Sequence, residues 1–184
     1  MIILGDGMAD YPLKELGNRT PLMAAHKPNI DRLAQLGRCG RLVTVPANLP
    51  AGSEVANMAV LGYNVQEVYQ GRGVLEAAAM GVKLEPDDLA MRCNLICIRN
   101  GNIKNHSAGH ISTEEGRELI ESLNGIFAKD SQRFYPGVSY RHLFVLKDGN
   151  PALNLTPPHD VPGQPWKNLL PMANHPDGRQ TAEI

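Results

Sequence analysis

A short apolar run, Met1-Ile2-Ile3-Leu4, breaks abruptly at Gly5-Asp6-Gly7. An unbroken apolar run with β-branched residues suits a strand buried on both faces, and the glycines that follow allow a sharp exit. A chain that opens this way is constrained toward an open α/β sheet, whose ligands gather at the carboxyl ends of the strands, where Asp6 stands. Ser53, in Leu49-Pro-Ala-Gly-Ser-Glu-Val-Ala-Asn-Met58, follows Gly52 and opens a helical pattern at Val55, Met58 and Ala59. Its hydroxyl therefore belongs at a helix N-terminus, where backbone N–H groups favour an anion. A divalent cation bridging the carboxylate and the alcohol would turn Ser53 into a nucleophile for phosphate. Gly-Asp-Gly is also a common turn and serine a common helix cap, so the pair by itself leaves catalysis and plain local structure both open.

Composition narrows the choice. The chain has 184 residues, 42% of them hydrophobic and 20% charged, which suits one globular domain or parts of two. A formal net charge of -1 and the lack of a basic stripe argue against nucleic acid or a membrane surface as partner. Cys39, Cys93 and Cys97 contain no Cys-x-x-Cys pair and read as free core thiols of a reducing compartment. The amino-terminal apolar run is too short for a signal peptide or a membrane span, so the expected location is cytoplasmic.

Periodicity and punctuation predict the elements. Residues 1–6 and Gly40 to Val45 read as strands. Between them lies a helix capped by Asn29, with Ile30, Leu33, Ala34 and Leu36 on its apolar face and Gly37 in a left-handed stop. The Ser53 helix runs to Leu61 before Gly62. A polar, turn-rich passage from Tyr63 to Gly73 marks a domain boundary, followed by a helix from Val74 to Met80. Leu89 to Ile98 reads as a strand, with a hairpin at Gly101-Asn102 and a return from Ile103 to Ser107. A capped helix starts at Thr113 and ends before Gly125. A turn at Pro136-Gly137 and a strand from Ser139 to Lys147 follow, and the proline-rich tail from Thr156 reads as loop or linker.

Several segments together resemble a known family. Ile3-Leu-Gly-Asp-Gly-Met-Ala-Asp10, Asn18-Arg-Thr-Pro-Leu22, Lys27-Pro-Asn-Ile-Asp-Arg-Leu-Ala34, Gly52-Ser-Glu-Val-Ala-Asn57, Leu61-Gly-Tyr63, Gly71-Arg-Gly73 and Arg92-Cys-Asn94 look like the archaeal-type cofactor-independent phosphoglycerate mutases of the alkaline phosphatase superfamily. Ser107-Ala-Gly-His-Ile111, Phe134-Tyr-Pro-Gly-Val-Ser-Tyr-Arg-His142 and Thr156-Pro-Pro-His-Asp160 continue the match. The resemblance implies a partial three-layer αβα phosphatase-like core, residues 1–68, with a smaller α/β cap inserted at 69–165 and a linker at 166–184. It implies interconversion of 3-phosphoglycerate and 2-phosphoglycerate through a phosphoserine at Ser53. Two divalent ions of the manganese, magnesium or zinc type, one held by Asp6, would serve, with no need of 2,3-bisphosphoglycerate. The implied partner is the small phosphoglycerate, with no nucleic acid or membrane, and a homo-oligomer is compatible with it.

Arg72, Arg92 and Arg141 are the expected anion clamps, because the planar guanidinium fork reads phosphate and carboxylate alike. Asn57, one turn after Ser53, and His110, His142, His159 and Asp160 complete the expected substrate side. Members of the family run well beyond residue 184 and carry further Asp and His ligands there, so the chain alone is expected to bind metal weakly and turn over nothing. Two other readings use the same residues: a phosphatase or phosphotransferase for another small phosphate ester, and a catalytically silent binding module.

Overall fold

The computed structural model describes residues 1–5 and 7–184; Asp6 lies outside the described residues. Helices α1 (Pro21–Ala24), α2 (Pro28–Leu36), α3 (Ser53–Val60), α4 (Val65–Val68) and α5 (Arg72–Ala79) come first. Strands β1 (Leu89–Asn94), β2 (Cys97–Arg99) and β3 (Asn102–Asn105) follow, then α6 (Thr113–Phe127), β4 (Gln132–Val138) and β5 (Arg141–Leu146). The chain closes with β6 (Leu153–Asn154), β7 (Met172–Ala173) and α7 (Arg179–Ala182). Among the described residues no helix is long and apolar enough to cross a membrane.

A three-stranded antiparallel sheet in the order β1-β5-β4 organises the carboxyl-terminal two thirds. Its register pairs Leu89 with Leu146, Asn94 with Arg141 and Phe134 with Phe144. Period-2 alternation sends successive side chains of β5 to opposite faces. Leu143 and Val145 face α5, where they pack with Ala77 and, around it, Met80, Val82, Leu84 and Tyr135. The other face is covered by α6, which buries Ile120 completely and hydrogen-bonds β4 through Asn124, whose Nδ2 and Oδ1 meet the Phe134 carbonyl and N–H at 2.7 and 2.9 Å.

The α6 start is legible in local chemistry. Ser112 accepts the Glu115 N–H at 3.2 Å while Glu115 accepts the Ser112 N–H at 3.1 Å, a reciprocal capping box. The helix then runs through Gly125 to Phe127, three residues beyond the expected last residue, since Gly125 costs a helix only about 1 kcal/mol. Pro136 and Gly137 do not form the hairpin turn. They occupy an irregularity in β4, between Tyr135 and Val138, where a proline's missing N–H is tolerated. The turn lies two residues on, with Ser139 at φ 55°. The hairpin at Gly101 stands as expected, but β1 stops at Asn94 instead of reaching Ile98. The helix after Gly71 starts at Arg72 and not Val74, since Gly71 at φ 101° makes the break.

The first fifty residues depart furthest from expectation. Residues 1–5 and 40–45 form no strand, and Ile3 and Val43 are 80% and 76% exposed. A strand needs a neighbour for its backbone groups, and among the described residues none pairs with these segments. Helix α2 is amphipathic, yet Ile30, Leu33 and Leu36 lie on the surface. It is capped from Lys27 with Pro28 in its first turn and not by Asn29, and Gly37 is extended at φ -98° where a left-handed stop was expected. Gly62, at φ 91°, does end the Ser53 helix. The tail from Thr156, expected to be loop, supplies β7, which pairs with β6 just before the tail, and α7, which is tied down by the Asn150 N–H donating to Thr181 Oγ1 at 3.0 Å. Of the thiols expected in the core, Cys39 and Cys97 are exposed and only Cys93 is partly buried.

Candidate active site

Ser53 is the first residue of α3, with Gly52 in the extended cap position. Val55 turns inward and is fully buried, which fixes the helix's rotation and leaves Ser53 and Asn57 together on its exposed side. The proposed partner of Ser53, Asp6, lies outside the described residues. Glu54 turns the other way: its carboxylate accepts from Arg72 Nη2 at 2.5 Å and from the Tyr69 hydroxyl at 3.4 Å. Burial alone would raise the Glu54 carboxyl, but the hydrogen bond from Arg72, its own backbone N–H, the Arg72 charge and Tyr69 outweigh it and hold the pKa below the usual carboxylate value. The same burial and the neighbouring carboxylate push the Tyr69 phenol up.

Arg72 leads α5, and the helix reaches the edge strand because Gly73 lets its backbone lie directly against the Ala90 carbonyl, with no room for a Cβ. That contact sets Arg72 over β1 next to Arg92. Arg92 is lowered from the ordinary arginine value, first by burial, then by the like charge of Arg72, with Arg141 adding to it and Glu76 and Tyr140 opposing. The three arginines named from sequence are thus one electrostatic neighbourhood. Arg92 Nε donates to Asn94 Oδ1 at 3.2 Å, Asn94 stands opposite Arg141 in the register, and Arg141 lies 5.9 Å from the centre of the Tyr140 ring.

A cleft of about 620 Å³ runs along β1, lined on its polar side by Arg72, Arg92, Asn94 and His159 and elsewhere by apolar residues such as Met91, Phe144 and Leu155. His159 reaches it from the tail, edge-on to His106 at 6.3 Å between ring centres, and His106 meets Tyr140 at 5.9 Å. Asp160 is exposed and lies 3.4 Å from His159. His110 is exposed in a tight loop where Ala108, Gly109 and His110 all have positive φ, of 49°, 72° and 63°. Asn105 braces that loop by accepting from Ser107 N, Ser107 Oγ and Gly109 N. Ser139 ties the β4–β5 turn to it through Thr113 Oγ1 and the Ile111 carbonyl. Of the three only Ala108 and His110 pay for that conformation, since glycine adopts it freely.

His142 is not brought to this cleft. It is 2% exposed on the α6 side of the sheet, its Cε1 near Gly116, and its Nδ1 accepts the Gly137 N–H at 3.0 Å. Glu54, Tyr69, Asn94, His106 and Tyr140 escaped the sequence reading. Asn94 was recoverable, since it lies two residues from Arg92 on the same strand face; Glu54 and Tyr69 meet across fifteen residues and carry no local signal.

A mixed α/β protein that lines one cleft with two arginines and a histidine, one of those arginines bonded to the residue after an exposed helix-start serine, fits the class that binds small anions. A family model described as 2,3-bisphosphoglycerate-independent phosphoglycerate mutase matches residues 34–184. The mutase of that name from Methanosarcina barkeri is 52% identical over 171 residues, 92% of this chain and 43% of its own length. The Methanosarcina mazei mutase is 50% identical over the whole chain and 46% of its own length. Among solved structures, the cofactor-independent phosphoglycerate mutase of Thermoplasma acidophilum aligns with TM-score 0.52 at 31% identity, covering 96% of this chain and 47% of that one. The chain belongs to the 2,3-bisphosphoglycerate-independent phosphoglycerate mutase family, and it spans less than half the length of these relatives.

Proposed function

We propose that the protein carrying this chain interconverts 3-phosphoglycerate and 2-phosphoglycerate, with Ser53 taking the phosphoryl group and returning it to the other glycerate oxygen. The supporting observation is the Arg72–Arg92–Arg141 cluster. Like charges gathered and partly desolvated are costly to hold together, and a substrate bearing both phosphate and carboxylate offsets that cost. Family membership narrows the anion to a phosphoglycerate. In this reading residues 1–68 belong to the phosphatase-like domain, 69–165 form an inserted cap and 166–184 lead back out of it. The reaction belongs with the cytoplasmic phosphoglycerate pool.

Ser53 Oγ is exposed at a helix start, so a phosphoryl group can reach it and the α3 N–H groups can share its charge. Asn57, one turn away, faces the same space. Arg72 and Arg92 hold the substrate's anionic groups, with His159 at the cleft wall. Ser53 and Asp6 are the donors this chain would lend to divalent ions; among the described residues no three His, Cys, Asp or Glu side chains cluster to hold one. The other ligands would come from the part of the relatives that this chain does not span, and the 184 residues alone would turn over nothing. Bound ions would lower the pKa of the serine hydroxyl and neutralise phosphate charge.

The test is a mutase assay on a protein carrying this chain, with manganese and 3-phosphoglycerate, beside Ser53→Ala. Loss of roughly three orders of magnitude or more is expected on removing a covalent nucleophile. Retained turnover in Ser53→Ala would refute the assignment, and turnover of a different phosphate ester alone would replace the substrate.

A further inference from the structure

Glu54 follows the serine on which the proposed function rests, and its side chain does not point to solvent as a second-position helix residue commonly would. The carboxylate folds back over Gly52, filling the space a Cβ at that position would need. There it takes Arg72 Nη2 on one oxygen and the Tyr69 hydroxyl on the other. Tyr69 ends α4, and Arg72 begins α5, the helix whose Gly73 is seated on Ala90 of β1. An unbroken path therefore runs from the Ser53 helix through one carboxylate to the strand that carries Arg92. The residues of the path are half-buried, with the Glu54 side chain 15% and the Arg72 side chain 34% exposed, so solvent screens the contact less than it would a surface pair.

We propose that Glu54 is a positioning residue that sets the spacing between Ser53 and the arginine cluster by anchoring α3 to Arg72 and Tyr69. It touches no substrate. Its effect is on the geometry of phosphoryl transfer, since both the serine and the arginines must engage the same small molecule, and displacements of about an ångström can cost a reaction about a hundredfold. The inference rests on the reading of Ser53 as the phosphoryl acceptor.

The experiment compares Glu54→Leu and Glu54→Gln with the parent in a protein carrying this chain, assayed with manganese and 3-phosphoglycerate. It also follows backbone amide exchange of Val55 to Val60 in each variant. Glu54→Leu is expected to lower kcat about tenfold or more with KM within about threefold, the split that marks lost transition-state geometry and not lost ground-state binding. Glu54→Gln keeps an amide oxygen to accept from Arg72 and turns an amide N–H toward the Tyr69 hydroxyl, which can accept as well as donate, so it should recover most of the rate. Amide exchange along α3 should rise severalfold in the leucine variant and stay near parent in the glutamine variant. An unchanged kcat, a loss confined to KM, or unchanged exchange in Glu54→Leu would overturn the role. A parent without mutase turnover, or an active Ser53→Ala, would instead refute the proposed function, and the exchange measurement would still decide whether Glu54 anchors the helix.

Discussion

Arg141 and His142 are consecutive residues that serve opposite faces of one sheet. Arg141 shares the face of Leu143 and belongs to the cationic neighbourhood of Arg92, while His142 is sealed against α6 at Gly116. Strand alternation explains how adjacent positions part so completely. On the proposed function the pair would separate a binding effect from a folding effect within two residues.

Replacing Arg141 with leucine should leave thermal stability almost unchanged, because the side chain is exposed, and should weaken the binding of inorganic phosphate or 3-phosphoglycerate. Replacing His142 with leucine leaves the Gly137 N–H without its acceptor and should destabilise the fold by about 1–3 kcal/mol. Thermal unfolding read beside calorimetric titration with each ligand checks both. A His142→Leu protein as stable as the parent would contradict the assigned role.

His142 also predicts a pH dependence. An Nδ1 that accepts from Gly137 requires the neutral ring with its proton on Nε2, an atom buried without a partner among the described residues. Burial lowers the folded pKa below the ordinary 6.5, so the unfolded chain binds the extra proton first as acid is added. Its contribution to stability is present above pH 6.5 and is lost progressively as pH falls below that value. Urea midpoints measured from pH 7.5 to 5 should fall more steeply in the parent than in His142→Gln, and ring nitrogen shifts should report the Nε2–H tautomer at neutral pH.

Glu54 acts at a lower pH with the same sign. Its folded carboxyl lies below the ordinary 4.5, so the contribution from Arg72 and Tyr69 is present above that value and disappears as pH falls through the lower folded pKa. Acid unfolding of Glu54→Gln should therefore show a shallower loss of stability below pH 4.5 than the parent. Identical acid limbs would indicate that the carboxylate has no net effect on the fold.

The thiols should separate by reactivity. Burial pushes Cys93 up to about 11, whereas Cys39 and Cys97 are exposed. The thiolate is the reacting species, so iodoacetamide at pH 8 should label Cys39 and Cys97 within the time that leaves Cys93 intact, and denaturant should release the third site. Mass mapping of the labelled peptides would show it, and early labelling of Cys93 would contradict the burial.

Gly73 supports the placement of Arg72 over β1. Alanine there would drive a Cβ into the Ala90 carbonyl, backbone against backbone, where no side-chain rotation relieves the clash. A cost of about 1–3 kcal/mol is expected, together with weaker phosphate binding because Arg72 moves with its helix. A melting temperature equal to the parent's would place the α5–β1 contact elsewhere.

Much of this architecture is written locally. The Ser112–Glu115 capping box, the hairpin at Gly101, the stop at Gly62 and the start of α3 at Ser53 depend on residues within a few positions of each other, and each is readable from sequence. The segments that contain Arg72, Arg92 and Arg141 single out each of them, whereas their meeting as neighbours depends on the β1–β5 register and the α5–β1 contact. Tertiary structure decided what long-range pairing controls: Glu54 finds Arg72 and Tyr69, His159 finds His106, and His142 faces away from the cleft. It also decided that the apolar runs at residues 1–5 and 40–45 find no strand partner among the described residues, for a strand is a property of two segments and its own sequence specifies only one.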